Sequence, residues 1–160
     1  MSTVSDYRKA QFRLVPAPSA ESRMFWTGGE RGELLISRCR SCKHFFHPPE
    51  PACWRCHSTD VAPERVSGRA KVAAYTVNHQ PWIPGFEPPY IVAMVELDDE
   101  PDVRLITNVV DVAPKDIRVG LPVEVFFEEW SDPSDDEDSR VWLPLFRPAT
   151  SASDECTSQT

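Results

Sequence analysis

Apolar residues along this chain recur with the period of extended strands, and few stretches carry a helical period. "VEVFFEEW" places Val123, Val125 and Phe127 on one face of a strand. "AKVAAYTVNH" is rich in β-branched and aromatic residues, and "YIVAMVEL" is almost continuously apolar. "VRLITNVV" follows the acidic turn "DDEPD", and "VWLPLF" closes the set. Five such strands with loops of varied length suit a small, partly open Greek-key barrel of the OB type. Upstream, "GELLISRC" predicts a further strand. "STDVAPERVSG" reads as a linker or turn, and "APKDIRVGLP" as a short helical turn with a glycine corner. Helical character is confined to "SAESRMFWTGGERG", where Ser19 is the candidate N-cap, Glu21 lies in the first turn and Gly28-Gly29 end the segment. The chain is therefore mostly β. It divides into an N-terminal arm and short helix (1–33), a cysteine-bearing unit (34–60), a barrel (61–148) and a disordered tail (149–160).

Composition changes this picture little. With 160 residues, 41% of them apolar, the chain can build one ordinary domain or two small ones sharing a core. Sixteen prolines against six glycines disfavour long helices. The first twenty residues hold no apolar stretch of the signal-peptide kind, and the longest apolar run, Tyr90 to Val95, is too short to span a bilayer. A cytoplasmic, soluble protein is the expectation.

Charge narrows the choice of partners. Residues 1–60 carry nine Lys/Arg against six Asp/Glu, whereas residues 61–160 carry eight against nineteen. Seven of those acids fall between Glu128 and Asp138, in "EEWSDPSDDED", a run that reads as a solvated loop. An OB barrel that binds nucleic acid combines a basic groove with stacking aromatics, and this barrel half is acidic. A nucleic-acid module is thus disfavoured. The one basic region brackets the cysteines: Arg38, Arg40, Lys43 and Arg55 could meet phosphates of a nucleotide-bearing ligand or an acidic partner, or form a solvated face.

Four of the five cysteines form two C-x-x-C pairs, Cys39/Cys42 and Cys53/Cys56, separated by ten residues. Tetrahedral Zn²⁺ takes four such thiolates, and each C-x-x-C turn delivers two from one side. Disulfides and a rubredoxin-like iron are the alternatives, although Lys43 and His57 stand where iron-binding knuckles usually carry glycine. His44, His47 and His57 are nearby substitute ligands. Four thiolates close the coordination shell, so the expected ion is structural rather than catalytic. Cys156 stands alone in the tail.

A catalytic constellation is not legible. His79 is the sole histidine outside the cysteine region, and Glu87, the nearest acid, has no fixed relation to it. No phosphate-cradling glycine loop is present. The segment "QPWIPGFEPPY" is nonetheless distinctive. Trp82, Phe86 and Tyr90 among prolines form a stiff apolar projection, suited to covering a ligand or a partner's pocket, or to plain packing. Phe25 and Trp26 in the short helix pose the same choice between core and partner.

Taken in order, "FWTGGERGELLISRCRSCKHFFHPP", "CWRC", "VSGRAKVAAYTVNH", "PPYIVAMVEL" and "IRVGLPVEVFF" resemble the DUF35 family across residues 19–147. The resemblance implies an N-terminal helix, a rubredoxin-like zinc ribbon held by Cys39, Cys42, Cys53 and Cys56, and a C-terminal five-stranded OB-fold. Ala70 replaces the usual second glycine after Ser67-Gly68-Arg69. The family's members are accessory proteins of thiolase-like enzymes, including lipid-transfer-type aldolases that cleave acyl-CoA side chains, and some associate with hydratases. The implied function is a non-catalytic subunit that steadies such an enzyme, with a steroid-type aldolase favoured. Contacts are expected from Phe25, Trp26, Arg40, Lys43, Arg55, His79, Trp82, Phe86 and Tyr90. The alternatives are a stand-alone acyl-CoA binder, a hydratase partner, or a nucleic-acid-binding module.

Overall fold

The computed structural model describes residues 10, 13–131 and 139–150. Most of the arm before Arg13, the greater part of the acidic run and the tail with Cys156 lie outside the described residues.

Two β assemblies share one strand-built core. Helix α1 (Arg23–Thr27) leads through a 3-10 turn (Gly28–Arg31) into β1 (Leu34–Cys39). Strands β2 (Phe45–Phe46) and β3 (Val61–Val66) flank β1 in an antiparallel sheet of order β2-β1-β3. The second assembly is a closed barrel of β4 (Arg69–Asn78), β5 (Tyr90–Leu97), β6 (Arg104–Val109), β7 (Pro122–Trp130) and β8 (Val141–Pro148), in the order β4-β5-β6-β8-β7. The five barrel strands coincide with those predicted.

Closure departs from the partly open barrel expected. Strand β4 pairs with β5 along its length and with β7 at Arg69–Lys71. A register shift between Val72 and Ala74 bends it enough to serve both neighbours. The thinnest seam is β6–β8, where a single parallel pair, Val109 with Phe146, closes the cylinder. Two bonds reinforce it: the Val110 amide donates to the Phe146 carbonyl (2.9 Å) and Thr107 Oγ1 donates to the Pro144 carbonyl (2.8 Å).

The stretch "STDVAPERVSG" is not a linker. It contains β3, paired with all of β1 from Leu34↔Val66 to Cys39↔Val61. Strand β1 is almost wholly buried, and its backbone groups need a partner on this side. Pro63 masked the signal, but β3 is an edge strand, where proline is tolerated.

The helix is also shorter than predicted. Ser19 and Ser22 hydrogen-bond reciprocally, each backbone N–H donating to the other's hydroxyl (2.9 and 3.2 Å), and the α-helix starts only at Arg23. Gly28-Gly29 do not end the segment. They continue as the 3-10 turn, which stops at Gly32 in the left-handed region (φ 68°). Gly29 lies flat on Phe127 of β7 and Trp142 of β8, where any Cβ would collide with both. Gly68 combines φ 76° with a similar contact to Val125.

One apolar cluster joins the assemblies. Phe25, Leu34, Ile36 and Val66 from the N-terminal side pack with Val72, Val95, Val123 and Phe146 of the barrel. Val123, Val125 and Phe127 face this core together, as the alternation of β7 predicts. A second, much smaller cluster holds Cys39, Phe46 and Cys53.

Candidate metal centre

The cysteines sit on two knuckles with the same hydrogen-bond pattern. The Cys39 amide donates to the His44 carbonyl (2.9 Å), and the Lys43 amide donates to the Cys39 carbonyl (2.8 Å). The Cys53 amide donates to the Ser58 carbonyl (2.9 Å), and the His57 amide to the Cys53 carbonyl (2.8 Å). Such a turn needs a left-handed residue four places after its first cysteine. Lys43 (φ 64°) and His57 (φ 60°) occupy those places, which accounts for glycine being the usual choice there.

The four Sγ atoms lie within 4.8 Å of one another. Cys39 and Cys56 are 3.5 Å apart, Cys42 and Cys53 3.7 Å. A tetrahedron with metal–sulfur bonds of about 2.3 Å has edges of about 3.8 Å, so this spacing fits a metal ion. It is far from the roughly 2.05 Å of a disulfide, and all four cysteines are free. Cys39 and Cys53 are fully buried, while Cys42 is half-buried and Cys56 exposed.

Electrostatics agree with that fit. The Cys42 amide, with help from neighbouring thiols, holds the Cys39 thiol down to about 6. The Cys56 thiol, although held by the Ser58 amide, is pushed up to about 12 by Cys42, Cys39 and Cys53. Thiols this close oppose one another's ionisation unless a cation lies between them.

The histidines stand outside the thiol group. The His44 ring meets Trp54 edge-on at 4.8 Å, and its buried Nε2 has no hydrogen-bond partner among the described residues. The His47 ring packs on Phe25 at 4.7 Å, and burial pulls its pKa down to about 4. His57 is an exposed knuckle residue. Around the knuckles, Arg38 is bound to Glu64 (2.6 Å) and covers the Phe45 ring, and Arg40 faces Asp60 at 3.9 Å. Arg40, Lys43 and Arg55 are exposed, as is Trp54 between Cys53 and Arg55. Sequence reasoning passed over Trp54, although its place inside a C-x-x-C turn is a signal of exposure.

The remaining candidates separate into core and surface. Phe25 is a core residue, edge-on to the half-buried Trp26 (4.7 Å), and is therefore not available to a partner in this conformation. His79 is exposed, with no hydrogen bond or ion pair among the described residues to position it as a base. In the β4–β5 loop, Trp82 is 73% exposed with its Nε1 donating to Asn78 Oδ1 (2.7 Å), and the Phe86 ring meets that of Tyr90, the first residue of β5, edge-on at 4.3 Å.

A polar cluster beside this loop had no signature in the sequence. Arg13 Nε donates to Glu128 Oε1 (2.9 Å) and its Nη1 to Asn108 Oδ1 (3.0 Å). Trp130 Nε1 also donates to Glu128 Oε1 (2.6 Å). The side chains of Arg13 and Glu128 are 12% and 5% exposed. Burial lowers the Arg13 pKa and raises that of Glu128.

Comparison with known proteins matches this architecture. A family model described as the ChsH2 rubredoxin-like zinc ribbon domain covers residues 26–62, and one described as the ChsH2 C-terminal OB-fold domain covers residues 63–128. A probable enoyl-CoA hydratase alpha subunit of Thermomonospora curvata is 38% identical over 91% of this chain and 43% of its own length. A 3-oxo-4,17-pregnadiene-20-carboxyl-CoA hydratase alpha subunit of Mycobacterium tuberculosis is 32% identical over 81% and 42%. The chain thus spans about two fifths of these two relatives. A DUF35 domain-containing scaffold protein of Methanocaldococcus jannaschii is 31% identical over 67% of this chain and 76% of its own. Among solved structures, a chain of the Ltp2-ChsH2(DUF35) aldolase superposes with a TM-score of 0.72 at 38% identity, covering 84% of this chain and 99% of that one. On these matches, and on the ribbon and barrel they share, the chain belongs to the DUF35 family.

Proposed function

We propose that this chain is a non-catalytic accessory subunit of a thiolase-like enzyme acting on acyl-CoA, in a hetero-oligomer that performs retro-aldol cleavage of a steroid-type side chain. The observation that carries the reading is the likeness, over 84% of this chain, to a chain of the Ltp2-ChsH2(DUF35) aldolase. A steroid-like substrate is supported by the name of the Mycobacterium tuberculosis relative. The scaffold role is supported by the likeness to the Methanocaldococcus jannaschii scaffold protein.

Cys39, Cys42, Cys53 and Cys56 would hold one Zn²⁺. Bound there, the ion supplies charge compensation and a covalent tie between the knuckles, not a reactive centre, because four thiolates leave no coordination position for a substrate. Elemental analysis should find one zinc per chain. Iron, recognisable by its visible absorption, would overturn the zinc assignment. Arg40, Lys43 and Arg55 on the ribbon, with exposed Trp82 and half-buried Phe86 of the β4–β5 loop and half-buried Tyr90 at the start of β5, form the proposed contacts; aromatic and arginine side chains are the usual anchors of interfaces.

Co-expression with a thiolase-like subunit tests the reading. Co-elution and a gain in acyl-CoA cleavage are expected. A partner whose solubility and turnover are indifferent to this chain would sink it. The two hydratase alpha subunits favour a second reading, in which the partner is an enoyl-CoA hydratase subunit. The same experiment with a hydratase subunit separates the two.

A further inference from the structure

The β4–β5 loop is rich in proline, yet its fixed position does not come from proline alone. Its Phe86 ring lies under the Arg13 guanidinium, 5.0 Å from the ring centroid. The guanidinium is itself held at two points, by Glu128 of β7 and Asn108 of β6. It therefore links β6 to β7, the two strands that flank β8, and so spans the thin β6–β8 seam. Asn108 extends the chain of contacts, because its Nδ2 donates to the Ile91 carbonyl (2.8 Å), one residue after Tyr90, whose ring stacks on Phe86. N-terminal arm, barrel seam and loop are thus joined through one side chain. The arm and the loop both carry exposed apolar residues: Leu14, next to Arg13 in the chain, is 76% exposed, and in the loop Trp82 is 73% and Ile83 36% exposed.

We propose that Arg13 is a positioning residue, which straps the N-terminal arm across the barrel seam and holds the β4–β5 loop in the form in which it meets the partner subunit. Its relevance to the partner rests on the function proposed above; its effect on the loop does not. Arginine suits the task because its flat fork can satisfy a carboxylate and an amide at once while its face covers an aromatic ring. Lysine offers one point charge and no face. Both ionic groups are largely removed from water, where the pair is weakly screened and its loss costs more than that of an exposed one.

Hydrogen–deuterium exchange on the full chain without any partner tests the strap directly. Arg13→Met should speed exchange of the amides in residues 79–90 by about tenfold or more, since a charge-assisted bond and a ring contact are lost together. Arg13→Lys should fall between the two. Leu97→Ala, at the far end of β5, serves as a control for general loss of barrel stability and should not accelerate the loop selectively. If Arg13→Met proves too unstable, Glu128→Gln keeps an acceptor for the guanidinium but removes the charge, and should loosen the loop less. Loop exchange unchanged in a folded Arg13→Met chain would overturn the proposal. So would acceleration equal to that of Leu97→Ala.

In the complex, Arg13→Met should raise the Kd for the thiolase-like subunit by about tenfold beyond the control, in proportion to the fraction of loop in the competent form. A loosened loop with unchanged Kd would overturn the claim that the strap serves binding. Failure of the unaltered chain to bind any such subunit would sink the proposed function instead, and the exchange result would still decide the strap.

Discussion

The ribbon and the barrel are stabilised in different ways. The barrel contributes most of a contiguous apolar cluster whose innermost side chains, such as Val95, Val123 and Phe146, are wholly removed from water. Each such burial contributes about 1.5–3 kcal/mol. Among the described residues, the knuckle end of the ribbon buries Cys39, Phe46 and Cys53 in its own cluster, with Cys42 and Val61 packed at its edge, and three of these five are candidate ligands. One region folds on hydrophobic burial. The other has little such burial, and its four thiols are placed to take an ion that would close it. The difference teaches why a domain this small tolerates so many exposed charges around its knuckles: its stability does not come from what surrounds them.

The largest test of that contrast removes the ion. Chelation, or Cys39→Ser, should cost the knuckles on the order of 10 kcal/mol of metal-linked stability. In exchange or NMR measurements, protection in residues 39–60 should be lost while β4–β8 keep theirs. Simultaneous collapse of both would show that the two are one cooperative unit. The converse experiment is Phe146→Ala, a cavity in the barrel worth about 3–5 kcal/mol by denaturant titration, with metal content unchanged at low temperature.

A smaller effect lies where the regions meet. His47 is half-buried against Phe25, and desolvation depresses its folded pKa to about 4, below the ordinary 6.5. The unfolded chain therefore binds the extra proton first. Stability contributed by neutral His47 is complete above about pH 6.5 and is lost as pH falls towards 4, by on the order of 2 kcal/mol. His47→Phe should flatten the difference in stability between pH 7 and 5.5, approximately the range in which this group acts. An unchanged pH slope would show that the histidine is not the source. The smallest expected effect is a gain. Lys43→Gly relieves a left-handed non-glycine residue and should stabilise the loaded ribbon by about 1 kcal/mol in thermal unfolding. A loss would mean that the lysine charge matters more to the cluster than its backbone does.

The barrel strands and the cysteine spacing were legible because each is written in local pattern: alternation in β7, apolar runs in β5, and two C-x-x-C pairs. β3 was hidden because Pro63 imitates a linker, and only pairing with β1 makes Val61–Val66 a strand. The helix was overextended because glycine usually ends helices, whereas Gly29 is required by the surfaces of Phe127 and Trp142, more than ninety residues away. Arg13 and Glu128 escaped for the same reason. An arginine in a polar arm and a glutamate heading an acidic run look solvated until 115 residues of chain are folded between them. Non-local polar contacts leave no periodic trace.

Strand β1 has one end in each region: Leu34 and Ile36 lie in the large apolar cluster and Cys39 in the small one. No glycine or proline interrupts its six residues, which span about 20 Å. It is a rod without a joint. Anything that grips the knuckles at one end and the cylinder at the other must accept the distance this rod sets, so the chain behaves as a gauge block and not as two beads on a thread.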